Sequence, residues 1–171
     1  MKTFRVRAER PSQHWGLRDF RDLVVLDLGA GDFGRIGEAN YQSTPAWWLD
    51  ACGAKRVIAV DPELKDLLAL DDDRIEGLCR WVISSDDIDE LVRVYAPSVV
   101  KIDIEGAELH ACTSGLPVSD LVRWVLVEAH SDELDAMLRD AFAEWCLLEV
   151  RELLHVPHAC RVLVFENPRI A

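Results

Sequence analysis

Three charged side chains, Lys101, Asp103 and Glu105, stand at alternate positions at the end of an apolar run and directly before a glycine. Because side chains alternate across a strand, the three share one face. Two carboxylates are costly in a sheet interior, but they are tolerated at the carboxyl edge of an open α/β sheet, where ligands bind. There they can hold a proton, a metal ion or a substrate hydroxyl. The alternative interpretation is that Asp103 and Glu105 cap the next helix.

A second charged pair, Glu128 and His130, ends a later apolar run, and its two members also share a face. If the two strands are neighbours, three carboxylates and one imidazole converge at one edge of the sheet. We predict Asp103, Glu105, Glu128 and His130 as catalytic residues, with His130 or a carboxylate as the general base. Acid–base chemistry and substrate positioning are favoured over a divalent-metal site, so no metal ligand is predicted. Alternatively, Glu128 and His130 only join their strand to the next helix.

A glycine loop follows the first predicted strand of the domain, with Gly29, Gly31 and Gly34 in the spacing G-x-G-x-x-G. That spacing alone is also compatible with a structural turn. Asp27 lies inside the strand, where dinucleotide sites normally carry an apolar residue, and it can orient the loop or reach an amine above it. Asp61 ends the next strand, where an acid can accept the hydroxyls of a ribose. These features suit a nucleoside with an amino-acid tail, although Asp61 can instead cap a helix.

Strand-like and helix-like runs alternate along the chain, which predicts a parallel α/β sheet. Strands are predicted at 23–28, 56–60, 78–83, 98–104, 122–129, 146–153 and 161–165. Helices are predicted at 46–52, 63–70, 88–95, 107–113 and 132–144, the third of them with a capping box from Ser84 and Asp87. No helix separates the last two strands, so they are expected to form an antiparallel hairpin. Residues 1–22 are predicted to be an N-terminal arm or helix, and residues 23–171 to be the domain.

Charge and cysteine content indicate which binding partners and which cellular compartment to expect. With 31 acidic and 19 basic residues, the 171-residue chain has a net charge of −12, which disfavours nucleic acid as a partner. No apolar run approaches the roughly 20 residues of a membrane span, so no membrane association is expected. Five scattered cysteines, with no Cys-x-x-Cys pair, favour reduced thiols in a cytoplasmic protein. The sequence does not decide whether a second subunit closes the site in a homodimer.

Two segments carry a family resemblance. Leu26-Asp27-Leu28-Gly29-Ala30-Gly31, followed by Val60-Asp61-Pro62, resembles class I S-adenosylmethionine-dependent methyltransferases. Lys101-Ile102-Asp103-Ile104-Glu105-Gly106-Ala107-Glu108, followed by Val127-Glu128-Ala129-His130, resembles the FkbM-type members. The resemblance implies a Rossmann-like seven-stranded, mostly parallel sheet of order 3-2-1-4-5-7-6, flanked by helices, with the last strand antiparallel. It also implies S-adenosylmethionine as cofactor, held by Asp27, Gly29, Ala30, Gly31, Asp61, Pro62 and Asp103.

The reaction implied by this resemblance is methyl transfer, to oxygen of a small-molecule or carbohydrate-like acceptor. Two other functions remain open from the residues. One is a non-catalytic S-adenosylmethionine-binding module or partner subunit, because the chain is small and carries no obvious insertion over an acceptor. The other is an NAD-type dehydrogenase, against which Asp27 and the segment 101–108 both argue.

Overall fold

Eight strands form one mixed sheet in the computed structural model, which describes residues 1–6, 15–16, 18–31, 44–64, 72–112, 121–154 and 160–170. The strands are β1 (Lys2–Val6), β2 (Val24–Leu28), β3 (Arg56–Val60), β4 (Ile75–Leu78), β5 (Val99–Ile102), β6 (Trp124–Ala129), β7 (Cys146–Leu153) and β8 (Arg161–Glu166). The helices are α1 (Thr44–Asp50), α2 (Ser85–Tyr95), α3 (Glu108–Cys112) and α4 (Asp132–Ala141). The spatial order is β1-β7-β8-β6-β5-β2-β3-β4. β8 runs antiparallel to β6 and β7, and the other pairings are parallel.

Apart from β1, this order is the predicted 3-2-1-4-5-7-6 with an antiparallel last strand, so the predicted fold class is confirmed. The expected strand number is too low, because residues 2–6 pair in parallel with β7 and add an eighth strand. This short run contains two basic residues, a composition that is tolerated at a sheet edge and that gives little strand signal. Residues 15, 16 and 18–22, in the segment expected to be an arm or helix, form no α-helix, and Trp15 and Phe20 are fully buried.

The strand predicted at residues 78–83 is wrong in position, because β4 lies at Ile75–Leu78. β4 begins directly after a turn in which the Asp72 carboxylate accepts the Arg74 N–H at 3.0 Å. Its sequence, Ile-Glu-Gly-Leu, has weak strand character, and it is held by pairing with β3 at the sheet edge. The apolar residues 81–83 that suggested a strand instead follow β4 without regular structure.

Helices cover both faces of the sheet, so the central strands are buried on both sides as their apolar sequences predict. One core layer joins α2, α3 and α4 to the sheet, and α1 packs in the opposite layer with Trp15 and Phe20. Alternation along β2 sends Leu26 to the first layer and Val25 to the second. Among the described residues, no helix combines the length and apolar character needed to cross a bilayer.

Helix caps fix where the sheet-to-helix connections end. The predicted capping box is present at α2: the Ser84 hydroxyl accepts the Asp87 N–H, and the Asp87 carboxylate accepts the Ser84 N–H at 3.0 Å. At α4, the Ser131 hydroxyl accepts the Leu134 N–H at 3.0 Å. At α1, the Thr44 hydroxyl donates to the Ala30 carbonyl at 3.1 Å, which joins this helix to the glycine loop. These caps hold the loops that lie at the carboxyl ends of the parallel strands.

Candidate functional site

The glycine loop after β2 crosses over the end of β3 and approaches the backbone after β5. The Gly29 and Ala30 N–H groups both donate to the Val60 carbonyl, at 2.9 and 3.2 Å. Gly29 has a φ of +71°, and a Cβ there would lie 1.5 Å from the Asp103 carbonyl oxygen. Gly31 has a φ of +82°, but a Cβ there would meet no atom within 4 Å. Gly29 is therefore required by packing, whereas Gly31 borders open space. Gly34 lies outside the described residues.

Asp61 joins the glycine loop to the turn after β3. One carboxylate oxygen accepts the Gly31 N–H at 3.0 Å, and the other accepts the Glu63 N–H at 2.8 Å. The second bond spans two residues, the pattern of an Asx turn. Pro62 follows in the same turn. The helix predicted at 63–70 extends beyond the described residues, so the capping interpretation of Asp61 is not tested.

Asp27 and Lys101 form a buried ion pair beneath the glycine loop. Both side chains are at most 1% exposed, and the Asp27 carboxylate lies 3.0 Å from Lys101 Nζ. The Trp48 indole N–H donates to the same carboxylate at 2.8 Å. Lys101 Nζ also donates to the carbonyls of Leu28 (at 3.2 Å) and Gly29. Asp27 therefore supports the loop from below and is not among the residues that line the cleft.

Electrostatics keep Lys101 charged in this interior. Burial disfavours the ammonium, but the carboxylates of Asp27 and Asp103 outweigh burial and raise the pKa of Lys101. Asp103 is the more distant partner, with its carboxylate 3.6 Å from Nζ. The Trp15 ring also lies 5.1 Å from Nζ, within range of a cation–π contact.

The turn between β5 and α3 has an unusual backbone that Glu108 stabilises. Glu105 and Gly106 have φ values of +49° and +96°. The fully buried Glu108 carboxylate accepts the N–H of Ile104 at 3.0 Å and of Gly106 at 2.8 Å. Glu108 is not among the predicted site residues, although an acid in the first turn of the predicted helix was a signal for it. This turn places Asp103 and Glu105 at the cleft.

His130 lies among four acidic or thiol side chains. Its Nε2 is 3.6 Å from the Asp103 carboxylate and 3.5 Å from that of Glu108. Its Nδ1 is 3.8 Å from Cys160 Sγ and 4.0 Å from the Glu128 carboxylate. The structure therefore brings Asp103 and His130 together as predicted, and adds Glu108 and Cys160. Cys160 was missed because only the pairing of β8 with β6 brings it here.

These neighbours change the protonation of the cluster. Asp103, Cys160 and Glu108 raise the pKa of His130 strongly, so the imidazolium is favoured at neutral pH. Burial opposes ionisation of Glu108, but the nearby His130 imidazolium and hydrogen bonds from backbone N–H groups outweigh it and lower its pKa. Burial raises the pKa of the Cys160 thiol to about 11. Burial and the Asp103 charge raise the pKa of Glu105.

A cleft of about 870 Å³ opens at the carboxyl ends of β2, β3 and β5. Of the predicted site residues, six line it: Gly29, Gly31, Asp61, Pro62, Asp103 and Glu105. Asp27, Ala30, Glu128 and His130 are not among its lining residues. Trp81 and Ile83, which sequence analysis assigned to a strand, also line it and are 71% and 60% exposed. The cleft thus has polar groups along one wall and large apolar side chains along another.

No protein-family model and no curated protein matches this chain. Solved structures do resemble it. M. capricolum TrmK, in complex with S-adenosyl-homocysteine, aligns with a TM-score of 0.64 at 11% identity over 91% of this chain and 66% of that one. A putative tRNA (m1A22) methyltransferase from Streptococcus pneumoniae, in complex with S-adenosyl-L-methionine, aligns with a TM-score of 0.58 at 18% identity over 86% and 67%.

A third similar structure is the MycE methyltransferase from the mycinamycin biosynthetic pathway, in complex with Mg, S-adenosyl-homocysteine and mycinamycin VI. It aligns with a TM-score of 0.55 at 14% identity, over 85% of this chain and 45% of that one. The chain thus spans about two thirds of the first two proteins and under half of MycE. At these identities the likeness concerns the fold alone, a mostly parallel Rossmann-like α/β sheet flanked by helices.

Proposed function

We propose that the cleft binds S-adenosylmethionine and that the protein is a methyltransferase. The observation that carries this proposal is the glycine loop, whose Gly31 faces open space while its N–H is held by Asp61. A ligand can approach the backbone closely there, because no side chain intervenes. Solved structures of the same fold that contain S-adenosylmethionine or S-adenosyl-homocysteine support this choice of ligand.

The two ends of the cleft suit different parts of that ligand. Each Asp61 oxygen has a second lone pair and can accept a ribose hydroxyl, as the sequence pattern suggested. Trp81 and Ile83 offer an apolar surface for the flat adenine ring. Asp103 lies at the opposite end, where a carboxylate can accept from the amino group of the methionine part. Ala30 and Pro62 hold the two loops in place.

S-adenosylmethionine supplies an electrophilic methyl group, and the protein must align an acceptor and take its proton. We infer that Glu105 is the general base, because it lines the cleft and its pKa is raised by burial and by Asp103. Asp103 orients the acceptor. His130 lies beside Asp103 and positions it, and Glu128 lies on the other side of the His130 ring; neither lines the cleft. We therefore propose His130 as a positioning residue and not as the general base that the sequence pattern suggested.

The acceptor proposed is a hydroxyl of a small-molecule or carbohydrate-like compound. The charge of −12 supports an acceptor of this kind over tRNA, because a polyanion is repelled by the chain as a whole. One similar structure is described as a putative tRNA (m1A22) methyltransferase, so total tRNA belongs among the acceptors tested. A non-catalytic binding module is the alternative function.

The test begins with calorimetry of S-adenosyl-homocysteine binding to the full chain. We expect binding, and we expect Asp61→Asn to weaken it about 10- to 100-fold, the effect of losing hydrogen bonds to a charged group. Asp140→Asn, an exposed change on α4, is the matched control and should leave the affinity unchanged. Binding of NAD with no binding of S-adenosyl-homocysteine would overturn the proposal in favour of a dehydrogenase.

The second step measures transfer of a labelled methyl group to hydroxyl compounds, sugars and total tRNA. Turnover with a hydroxyl acceptor that Glu105→Gln abolishes, while S-adenosyl-homocysteine still binds, is the expected result. Cofactor binding with no turnover on any acceptor would support the non-catalytic module.

A further inference from the structure

β6 and β8 place Glu128, His130 and Cys160 together behind the cleft. These strands are antiparallel, and their register pairs Glu128 with Val162 and Ala129 with Arg161. Continued by one residue, this register sets His130 opposite Cys160, while Glu128 lies two residues before His130 on the same face. The Cys160 carbonyl also accepts the Leu153 N–H from β7 at 3.0 Å. The three side chains are therefore positioned by the sheet.

The ligand atoms of this trio surround a small volume. Cys160 Sγ lies 2.6 Å from the Glu128 carboxylate and 3.8 Å from His130 Nδ1, and those two atoms are 4.0 Å apart. In a tetrahedral zinc site, ligand atoms are separated by about 3.3 Å for two N or O ligands and about 3.5 Å for S with N or O. The two sulfur separations lie on either side of 3.5 Å, and the separation of the Glu128 and His130 atoms exceeds 3.3 Å. All three ligand atoms lie within 4.8 Å of one another, the spacing of a group that could hold one ion.

The opposite ring nitrogen of His130 lies near two carboxylates but makes no hydrogen bond to either of them. Nε2 faces Asp103 at 3.6 Å and Glu108 at 3.5 Å. A carboxylate that accepts from this nitrogen fixes the ring orientation and leaves Nδ1 free to bind metal. Glu128 and Cys160 are 6% and 3% exposed, and the His130 side chain is 31% exposed, so an ion can enter from the His130 side.

We propose that Glu128, His130 and Cys160 form a binding site for a borderline divalent metal ion, of which Zn²⁺ is the best fit. A thiolate with imidazole and carboxylate selects zinc-like ions over Mg²⁺ or Ca²⁺, which prefer oxygen ligands. On binding, the Cys160 Sγ–H proton and the Nδ1 proton of the His130 imidazolium pass to solvent, and sulfur, nitrogen and oxygen each donate a lone pair. Three protein ligands leave one tetrahedral position open.

The experiment uses the full chain, stripped of metal by a chelator and free of cofactor and acceptor. Zn²⁺ is titrated in competition with a chromogenic chelator, and Co²⁺ is added separately because thiolate–cobalt bonds absorb in the near ultraviolet. We expect one Zn²⁺ per chain and a thiolate-to-cobalt absorption band. Absence of Zn²⁺ binding, or Co²⁺ binding without this band, would overturn the proposal. Neither result depends on any variant.

Variants then identify the ligands. Loss of an outer-shell partner lowers metal affinity about 10- to 100-fold, and loss of a direct ligand should cost more. Cys160→Ser should therefore lower Zn²⁺ affinity at least ~100-fold and remove the thiolate-to-cobalt absorption band. Cys146→Ser, at an exposed cysteine, is the control and should change neither the Zn²⁺ affinity nor the absorption band. Asp103→Asn should weaken binding about 10-fold and keep the band. If Cys160→Ser does not fold, as checked by circular dichroism, Glu128→Gln provides the affinity test.

A different outcome would assign the ion elsewhere. Asp103, Glu108 and His130 also lie close enough to share an ion. If Asp103→Asn abolishes Zn²⁺ binding while Cys160→Ser retains it, the ion belongs to that group and the proposal is wrong. Because the assay contains no S-adenosylmethionine, its result is independent of whether the cleft binds this cofactor.

Discussion

The buried ion pair of Asp27 and Lys101 gives the sharpest prediction. At 3.0 Å and an effective dielectric of about 20, the attraction is about 5.5 kcal/mol, and much of it is offset by desolvation. Removing one partner of such a pair leaves a buried charge and costs about 3–5 kcal/mol. The stability loss of Lys101→Met should lie near the upper end of this range, because the substitution also removes the hydrogen-bond donors to the Leu28 and Gly29 carbonyls. Asp27→Asn should lie near the lower end, because Lys101 keeps Asp103.

The assay is urea unfolding of both single variants and of the double variant, combined in a double-mutant cycle. Because the two charges contact each other, the double variant should lose less stability than the two single losses together, by about 2 kcal/mol. The thermal midpoints of the single variants should fall by about 6–20 °C for a chain of this size. Lys55→Met, at an exposed lysine, is the control and should stay within about 0.5 kcal/mol of the wild type.

The pair also bears on ligand binding, because Lys101 holds the carbonyl of Gly29 at the cleft. Lys101→Met should therefore weaken S-adenosyl-homocysteine binding even where the variant is fully folded. A loss of unfolding free energy below about 1 kcal/mol for Lys101→Met would refute the reasoning. The reasoning would also be refuted if the stability loss of the double variant equalled the sum of the two single losses within about 0.5 kcal/mol.

Substitutions at other positions give predictions that the same unfolding and binding assays can check. Gly29→Ala should strongly destabilise the fold, because its Cβ would overlap the Asp103 carbonyl. Gly31→Ala should cost only about 1–2 kcal/mol of backbone strain but should lower S-adenosyl-homocysteine affinity; equal affinities of wild type and variant would contradict a ligand at this loop. Ser84→Ala should lower the free energy of unfolding by about 1 kcal/mol at neutral pH. Burial opposes ionisation of Asp87, but hydrogen bonds from Ser84, from the Ile83 N–H and from Arg80 outweigh it and lower its pKa below 3.8. The stabilisation is therefore full above pH 3.8 and is lost as pH falls through the lowered pKa. A wild-type stability that stays constant through that acid range in urea titrations would contradict this contribution.

Sequence was a good guide to the sheet where strands are buried on both faces. β2, β3 and β5 are mainly apolar, a pattern typical of strands buried on both sides, and the charges inside β2 and β5 are the paired Asp27 and Lys101. The edge strands β1 and β4 could not be predicted, because each is short and contains charged residues or glycine. Their pairing with longer neighbours provides the stability that their own sequences do not indicate.

The same limit applies to the site. Asp61 and Asp103 follow strands directly and Gly31 lies three residues after β2, so the rule that ligands bind at carboxyl ends of parallel strands was enough to place them at the cleft. Asp27 was expected to reach a ligand, but its partner Lys101 lies on a strand whose register the sequence does not specify. Cys160 could not be found for the same reason, since its neighbours come from an antiparallel strand distant in sequence.

The pairing of β1 with β7 also constrains the order of folding. The strand at residues 2–6 is synthesised long before its partner at 146–153, because the other strands of the sheet except β8 lie between them in the sequence. Until then the backbone amides of β1 have no partner in this sheet. β1 therefore joins a sheet whose centre has already formed. Closing so long a loop costs entropy that grows only logarithmically with its length, so even a five-residue strand can be retained at the edge.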